Sequence, residues 1–206
     1  MGSFNKRFVA LPMQLFLNEY GLTKQIHYKD ILTYITLRSY YNTETKLCYP
    51  SYETLQARSG MGRTFIIQSV KRLHRLGVID IQEPDSKYKS NRYTFEEFDL
   101  FEKIPYEVFD AELSSTDKSM LLLLRFFFNG LRCWMTISEI CSHLNLRYSQ
   151  VYPRFKALKE KGFIAERKIG PMGPITELAF TDKINWRYDY NSKHEDRRKV
   201  MNLKVS

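Results

Sequence analysis

The chain has few cysteines and no long apolar run. Its three cysteines in 206 residues, Cys48, Cys133 and Cys141, form an odd and sparse set that argues against a disulfide-stabilised fold and for a reducing compartment. They also lack the paired spacing of a structural zinc site, so we expect no bound metal. The longest apolar run, from Met120, is interrupted at Arg125, whereas a membrane span needs about 20 apolar residues. The first twelve residues lack the apolar core of a signal peptide, and we expect a cytoplasmic protein without membrane contact.

Groups that would support catalysis are scattered. The four histidines lie apart from candidate nucleophiles, and the acidic residues show no pairing typical of acid–base or metal-dependent chemistry. The motif "GMGRTF", from Gly60, follows a helical pattern rather than a strand, lacks the Lys-Ser/Thr pair of a phosphate loop, and has Phe65 where a dinucleotide fingerprint needs glycine. We therefore expect no enzymatic activity and no cofactor.

Positive charge is in excess. The chain carries 32 Lys and Arg against 23 Asp and Glu, a formal net charge of +9. Such a balance favours polyanionic partners, of which nucleic acid is the first to consider.

The sequence contains two similar segments. "FVALPMQLF" from Phe8 resembles "FEKIPYEVF" from Phe101. Farther along, Gly77 matches Gly162, and the same shift of 85 residues aligns a set of apolar positions: Leu55 with Ile140, Ile66 with Val151, Val70 with Phe155, Leu73 with Leu158, and Ile79 with Ile164. Agreement of apolar positions at one shift indicates a duplicated unit.

Each unit is predicted to contain three helices followed by a β-hairpin, which places the chain in a mainly α class with small β-hairpins (α+β). In the first unit the helices are expected near 30–40, after Ser51, and at 63–76; in the second they are expected at 116–128, at 137–144 and from Ser149 to Lys161. Pro153 would then lie in a first helical turn, where it is tolerated. The predicted domains are 1–98 and 99–184, followed by a polar tail at 185–206.

The glycines from Gly60 suit the tight turn between two helices. The segment "LCYPSYETLQARSGMGRTFIIQSVKRLHRLGVI" resembles the helix-turn-helix of many plasmid and phage replication proteins, and "LPMQLF" resembles the entry to plasmid replication initiators of the winged-helix type. The resemblance implies two tandem winged-helix domains that bind double-stranded DNA.

The helix at 63–76 is the candidate DNA-reading element. At 100° per residue its apolar stripe is formed by Ile66, Val70 and Leu73. No Asp or Glu occurs between Gly60 and Gly77, and such an acid-free outer face suits base edges and phosphates. The residues predicted to contact DNA in this unit are Arg63, Thr64, Gln68, Lys71, Arg72 and Arg75 on the helix, with Lys87, Lys89 and Arg92 in the hairpin.

The corresponding face of the second unit is less basic, because it includes Pro153 and Glu160. We expect a different contact there: phosphate binding, a second half-site or a protein partner. The candidate residues are Tyr148, Ser149, Lys156, Arg167 and Lys168, and Tyr152 could stack.

Three functions fit this sequence. The first is a replication initiator of a plasmid or mobile element, with a second copy of the chain and replication proteins as further partners. The second is a bacterial transcription regulator on the same fold. The third is a non-catalytic winged-helix scaffold for replication or segregation assemblies, against which the acid-free helix argues.

Overall fold

The computed structural model describes residues 8–13, 26–84, 90–128, 130–144, 146–169 and 175–186. The first unit contains β1 (Phe8–Pro12), α1 (Asp30–Arg38), α2 (Tyr52–Ser59), α3 (Arg63–Arg75), β2 (Ile79–Gln82) and β3 (Arg92–Phe95). The second contains β4 (Phe101–Pro105), α4 (Glu107–Asp110), α5 (Ser115–Leu124) with a 3₁₀ turn (Arg125–Phe127), β5 (Arg132–Cys133), α6 (Ile137–Leu144), α7 (Tyr148–Glu160), β6 (Ile164–Ile169) and β7 (Ile175–Phe180).

The internal duplication predicted from the sequence is visible in these bounds. Helices α1, α2 and α3 and strand β2 begin 85 residues before α5, α6, α7 and β6, respectively. The aligned apolar residues are buried in both units. The fold is mixed, with helices and small antiparallel sheets, as the predicted α+β class requires.

Helix ends follow from particular side chains. Ser51 caps α2, because its hydroxyl accepts a hydrogen bond from the Thr54 backbone N–H at 3.1 Å. Thr136 and Glu139 form a reciprocal capping box before α6, with distances of 3.2 and 2.6 Å. After α3 and α7 the chain reverses at Gly77 and Gly162, whose φ angles are +69° and +73°.

Two helix boundaries were predicted wrongly by a few residues. Helix α7 begins at Tyr148 rather than Ser149, with Arg147 at the N-cap, so Pro153 lies inside the helix instead of in its first turn. Helix α5 ends at Leu124 and continues only as a 3₁₀ turn. Within the predicted tail at 185–206, Trp186 is buried and stacks on Phe180, with ring centroids 4.9 Å apart. Residues 187–206 lie outside the described part of the chain, so the domain bounds stay predictions.

Both hairpins have the same architecture. Strand β2 pairs with β3, and β6 pairs with β7, in registers that match after the 85-residue shift: Ile79 faces Phe95 and Ile164 faces Phe180. Cys48 bridges to Tyr93 in the first unit, as Cys133 pairs with Leu178 in the second. The two cysteines are therefore equivalent, and both are buried and reduced.

The two units meet through equivalent elements. Strands β1 and β4 pair antiparallel, and the register joins Phe8 to Pro105 and Pro12 to Phe101. Phe101 is the counterpart of Phe8, and Pro105 is the counterpart of Pro12, so exchanging the two strands leaves the register unchanged. The pairing therefore has an approximate twofold axis near Ala10 and Lys103. Helix α1 packs on α5 across the same junction, while α3 packs on α1 and α7 packs on α5.

The junction is well packed. Arg58 of α2 lies over the rings of Tyr106 and Phe109, 5.1 and 4.3 Å from their centroids, and the Tyr106 hydroxyl donates to the Ser39 carbonyl at 2.9 Å. Buried apolar residues of both units form one continuous cluster. The chain thus forms one packed core rather than two separate cores.

Candidate nucleic-acid interface

The turn between α2 and α3 fixes the direction of α3. Gly60 ends α2 with φ +71°, a left-handed conformation that suits glycine. The next side chain, Met61, is buried and accepts a hydrogen bond from Thr33 through its sulfur at 3.5 Å. Gly62 then occupies the N-cap of α3 with φ −68°. One glycine makes the reversal and the buried methionine anchors it against α1.

Helix α3 is amphipathic as predicted. Ile66, Val70 and Leu73 are at most 1% exposed and face the core. The opposite face is exposed and includes Thr64, Gln68, Lys71 and Arg75. Within the described part of the chain, the side chains of these four residues make no ion pair or hydrogen bond, so their polar groups are available to a ligand.

Arg72 has a different environment from the one expected. Its Nε and Nη2 atoms donate to the two carboxylate oxygens of Asp30 at 2.9 and 2.6 Å, and Asp30 is fully buried. Hydrogen bonding to Asp30 raises the pKa of the guanidinium. The bidentate pair fastens α3 to the start of α1 and gives Arg72 a positioning role. Its predicted contact with DNA stays a prediction.

Asp30 also organises the residues before α1. Its carboxylate accepts the backbone N–H of His27 at 2.9 Å, and the His27 ring lies edge-on to Phe65 of α3, with centroids 5.8 Å apart. Burial lowers the pKa of His27; Lys29 and Arg72 add to that effect, whereas Asp30 opposes it. The shift favours the neutral imidazole, and Phe65 packs against this ring.

Arg63 is exposed but already has contacts. It forms an ion pair with Glu53 of α2 and lies 5.6 Å from the centroid of the Tyr52 ring. Both charged side chains are at least half exposed, and an ion pair of this kind contributes little net stability. Arg63 can therefore exchange Glu53 for a phosphate at small cost.

The hairpin of the first unit is only partly described. Arg92 begins β3 and is exposed. Lys87 and Lys89 lie outside the described residues, so their predicted contacts stay predictions.

The second unit places its predicted residues on the equivalent surface, with different chemistry. Tyr148, Ser149 and Lys156 are exposed on α7, and the ring of Tyr148 stacks on that of Tyr152. Lys156 is 3.7 Å from Glu160. The outer face of α7 therefore has two aromatic rings and a lysine paired with a glutamate, whereas the outer face of α3 has cations without acidic partners among the described residues.

In the hairpin of the second unit, one of the two predicted cations is already in an ion pair. Arg167 forms an ion pair with Glu177, whose side chain is 3% exposed and is shared with Arg132 at 3.3 Å. Lys168 is exposed and has no ion-pair partner in the described ranges. Arg167 is thus held by a buried carboxylate, and Lys168 is the freer cation.

Two residues of these surfaces, Asp30 and Lys159, were not predicted from the sequence. Asp30 lies 42 positions before Arg72, and no local pattern links them. Lys159, which pairs with Glu166, joins the face of Tyr148 and Tyr152; its spacing of seven residues from Tyr152 could have revealed this.

Among the described residues, no group of His, Cys, Asp and Glu side chains could hold a metal ion. No described helix has the length and apolar character needed to cross a membrane.

Comparison with known proteins agrees with the geometry of the first unit. Residues 25–79, about a quarter of the chain, match the family described as "Helix-turn-helix domain". The match covers α1, the α2–turn–α3 motif and the first residue of β2. No curated protein matches the chain. The first unit thus contains a helix-turn-helix domain, which supports DNA binding.

Proposed function

We propose that the protein binds double-stranded DNA by placing α3 in the major groove, and that it acts as the replication initiator of a plasmid or mobile element. The observation that carries the DNA-binding proposal is the exposed, acid-free face of α3, with Thr64, Gln68, Lys71 and Arg75 available. Gln68 and Arg75 have the side-chain types that hydrogen-bond base edges, and Lys71 suits a phosphate. The helix-turn-helix match to residues 25–79 supports this assignment.

The arrangement of the units supports a composite DNA site. The register of β1 with β4 is symmetric about Ala10 and Lys103, and α1 packs on its counterpart α5, so each unit contributes equivalent elements to the junction. If α3 and α7 both face DNA, one chain addresses two half-sites. Because the two helices carry different side chains, the half-sites have unlike sequences.

The initiator role rests on the sequence resemblance given above for residues 47–79 and 11–16. A transcription regulator on the same fold and a winged-helix scaffold are the alternatives. The unpaired cations of α3 favour DNA binding over a purely scaffolding role.

The first experiment measures duplex binding by fluorescence anisotropy over a range of salt concentrations. Each phosphate contact contributes about 0.9 to the magnitude of the log–log slope. Replacing both Lys71 and Arg75 by alanine should reduce that magnitude by about 0.9, because the Lys71 phosphate contact is lost, and should weaken binding further at every salt concentration, because the Arg75 base contact is lost. A control variant with Lys46→Asn and Lys103→Ala removes two cations elsewhere, and Asn tolerates the positive φ of residue 46. Binding that does not depend on salt, or equal losses in the two variants, would overturn the assignment.

The second experiment tests the initiator role. The gene and its flanking DNA are placed on a vector that cannot otherwise replicate, and transformants are counted. The wild type should support replication, and the Lys71→Ala/Arg75→Ala variant should not. Footprinting should then show protection inside the region needed for replication. A protected site that overlaps a promoter, with replication independent of the protein, would favour the regulator.

A further inference from the structure

The second unit contains a groove that duplex binding by α3 does not use. It lies between the outer face of α7, the start of α6 and the hairpin β6–β7, and its volume is about 610 Å³. This size falls in the range of ligand sites in proteins. The floor includes Met135, Phe155 and Leu178, and the polar groups at its edge include Thr136, Ser138 and Thr176. The groove is therefore apolar inside and polar at its edge.

Two aromatic rings form one wall of the groove. Tyr148 and Tyr152 stack with their ring centroids 5.0 Å apart and an interplanar angle of 15°. They are nonetheless 48% and 42% exposed. The equivalent positions of α3 are Arg63 and Ile67, so this aromatic surface is specific to the second unit. A nearly parallel pair with an outer ring face in solvent is a surface on which a planar group can stack.

The charged side chains beside the rings form ion pairs that are exposed to solvent. Lys156 pairs with Glu160 at 3.7 Å, and Lys159 pairs with Glu166. All four side chains are at least one-third exposed, and exposed pairs of this kind contribute little net stability. Either lysine can therefore turn to a phosphate at small cost.

We propose that this groove binds single-stranded DNA, with unpaired bases stacked on Tyr148 and Tyr152 and phosphates near Lys156 and Lys159. Bases in a duplex are already stacked on their neighbours, so their faces are not available to these rings. Single strands expose those faces, and proteins bind them by combining aromatic platforms with cations along a groove. The chain's net charge of +9 favours a polyanion over an apolar protein segment as the occupant. The proposal does not require α3 to read a duplex.

The test uses the full chain and a fluorescent oligothymidylate of about a dozen nucleotides, followed by anisotropy. The double variant Tyr148→Ala/Tyr152→Ala should bind at least about tenfold more weakly, because stacking is lost. Tyr148→Phe/Tyr152→Phe keeps both rings and should bind like the wild type. The Lys71→Ala/Arg75→Ala variant should lose duplex binding and retain binding to the oligothymidylate. The proposal of duplex binding and the proposal of single-strand binding are therefore tested separately, and either can fail without the other.

A second measurement does not depend on any variant. Ultraviolet cross-linking of the wild-type protein to the oligothymidylate, followed by peptide mapping, should place the adduct on the peptide that contains Tyr148 and Tyr152. Three results would overturn the proposal. One is unchanged affinity in the alanine variant. Another is competition by thymidine monophosphate at the same concentration as the oligomer, which indicates a nucleotide site. The last is self-association of the wild type that depends on the two tyrosines, without binding to single strands.

Discussion

The substitution Asp30→Asn tests whether the buried ion pair holds α3 in place. Asp30 is fully buried and accepts three hydrogen bonds: two from Arg72, at 2.9 and 2.6 Å, and one from the His27 backbone at 2.9 Å. Removing one partner of a buried pair costs roughly 3–5 kcal/mol, because the remaining charge is left without compensation. The Arg72 side chain is 24% exposed and can be partly hydrated. We therefore expect a loss of about 2–3 kcal/mol, below the range for a fully buried pair.

Urea unfolding followed by circular dichroism measures this loss. The matched control is Glu97→Gln, which removes an exposed ion pair with Lys46 and should cost no more than about 1 kcal/mol. A double-mutant cycle with Arg72→Met separates the pairwise interaction from the effect of each single change. If Asp30→Asn changes the free energy of unfolding no more than Glu97→Gln does, the assignment of Arg72 to positioning is wrong. The same variant should also weaken duplex binding, since α3 would lose the ion pair that fixes its position against α1.

Two further predictions concern residues beside α3. Gly60→Ala should destabilise the protein by about 1 kcal/mol in urea unfolding. A Cβ there has open space, but its φ of +71° is unfavourable for alanine; Gly60→Asn should cost less, and equal costs would exclude backbone strain as the cause. His27, whose pKa burial lowers below 6.5, should stay neutral in the folded state while the unfolded chain gains a proton. Its contribution to stability is therefore complete above pH 6.5 and is lost as the pH falls through the folded-state pKa. Between pH 7.5 and 5.5 the wild type should lose more stability than His27→Gln, and equal losses would contradict this assignment.

The duplicated unit and the helical spacing of apolar residues could be predicted from the sequence. The 85-residue shift was readable because a buried position tolerates few residue types, and Leu73 and Leu158 keep both identity and burial. The outer face of α3 followed from helical geometry alone. Ser51 and Gly77 could be assigned because a helix end imposes local hydrogen-bonding and backbone requirements.

Contacts between distant segments could not be predicted in this way. The link from Asp30 to Arg72 depends on how α1 crosses α3, and a single sequence contains no local signal for that. Arg72 lies at the edge of the outer face, where a rotation of a few degrees decides between solvent and core. The pairing of β1 with β4 could not be predicted either. The segments "FVALP" and "FEKIP" are similar, but similarity between two segments does not indicate that they are in contact. Pro153 was misplaced because the N-cap, Arg147, belongs to a residue type that seldom caps helices.

The antiparallel pairing of β1 and β4 makes each half of the molecule depend on the other for a strand partner. A fragment ending near residue 98 would retain β1 with its backbone donors and acceptors unsatisfied along one side. A fragment beginning there would leave β4 in the same condition. Two such fragments, or two copies of either one, present edges that can pair in the same register, because both segments begin with Phe and end with an aliphatic residue and Pro. The junction that unites one chain is therefore also the place where separate chains would exchange strands.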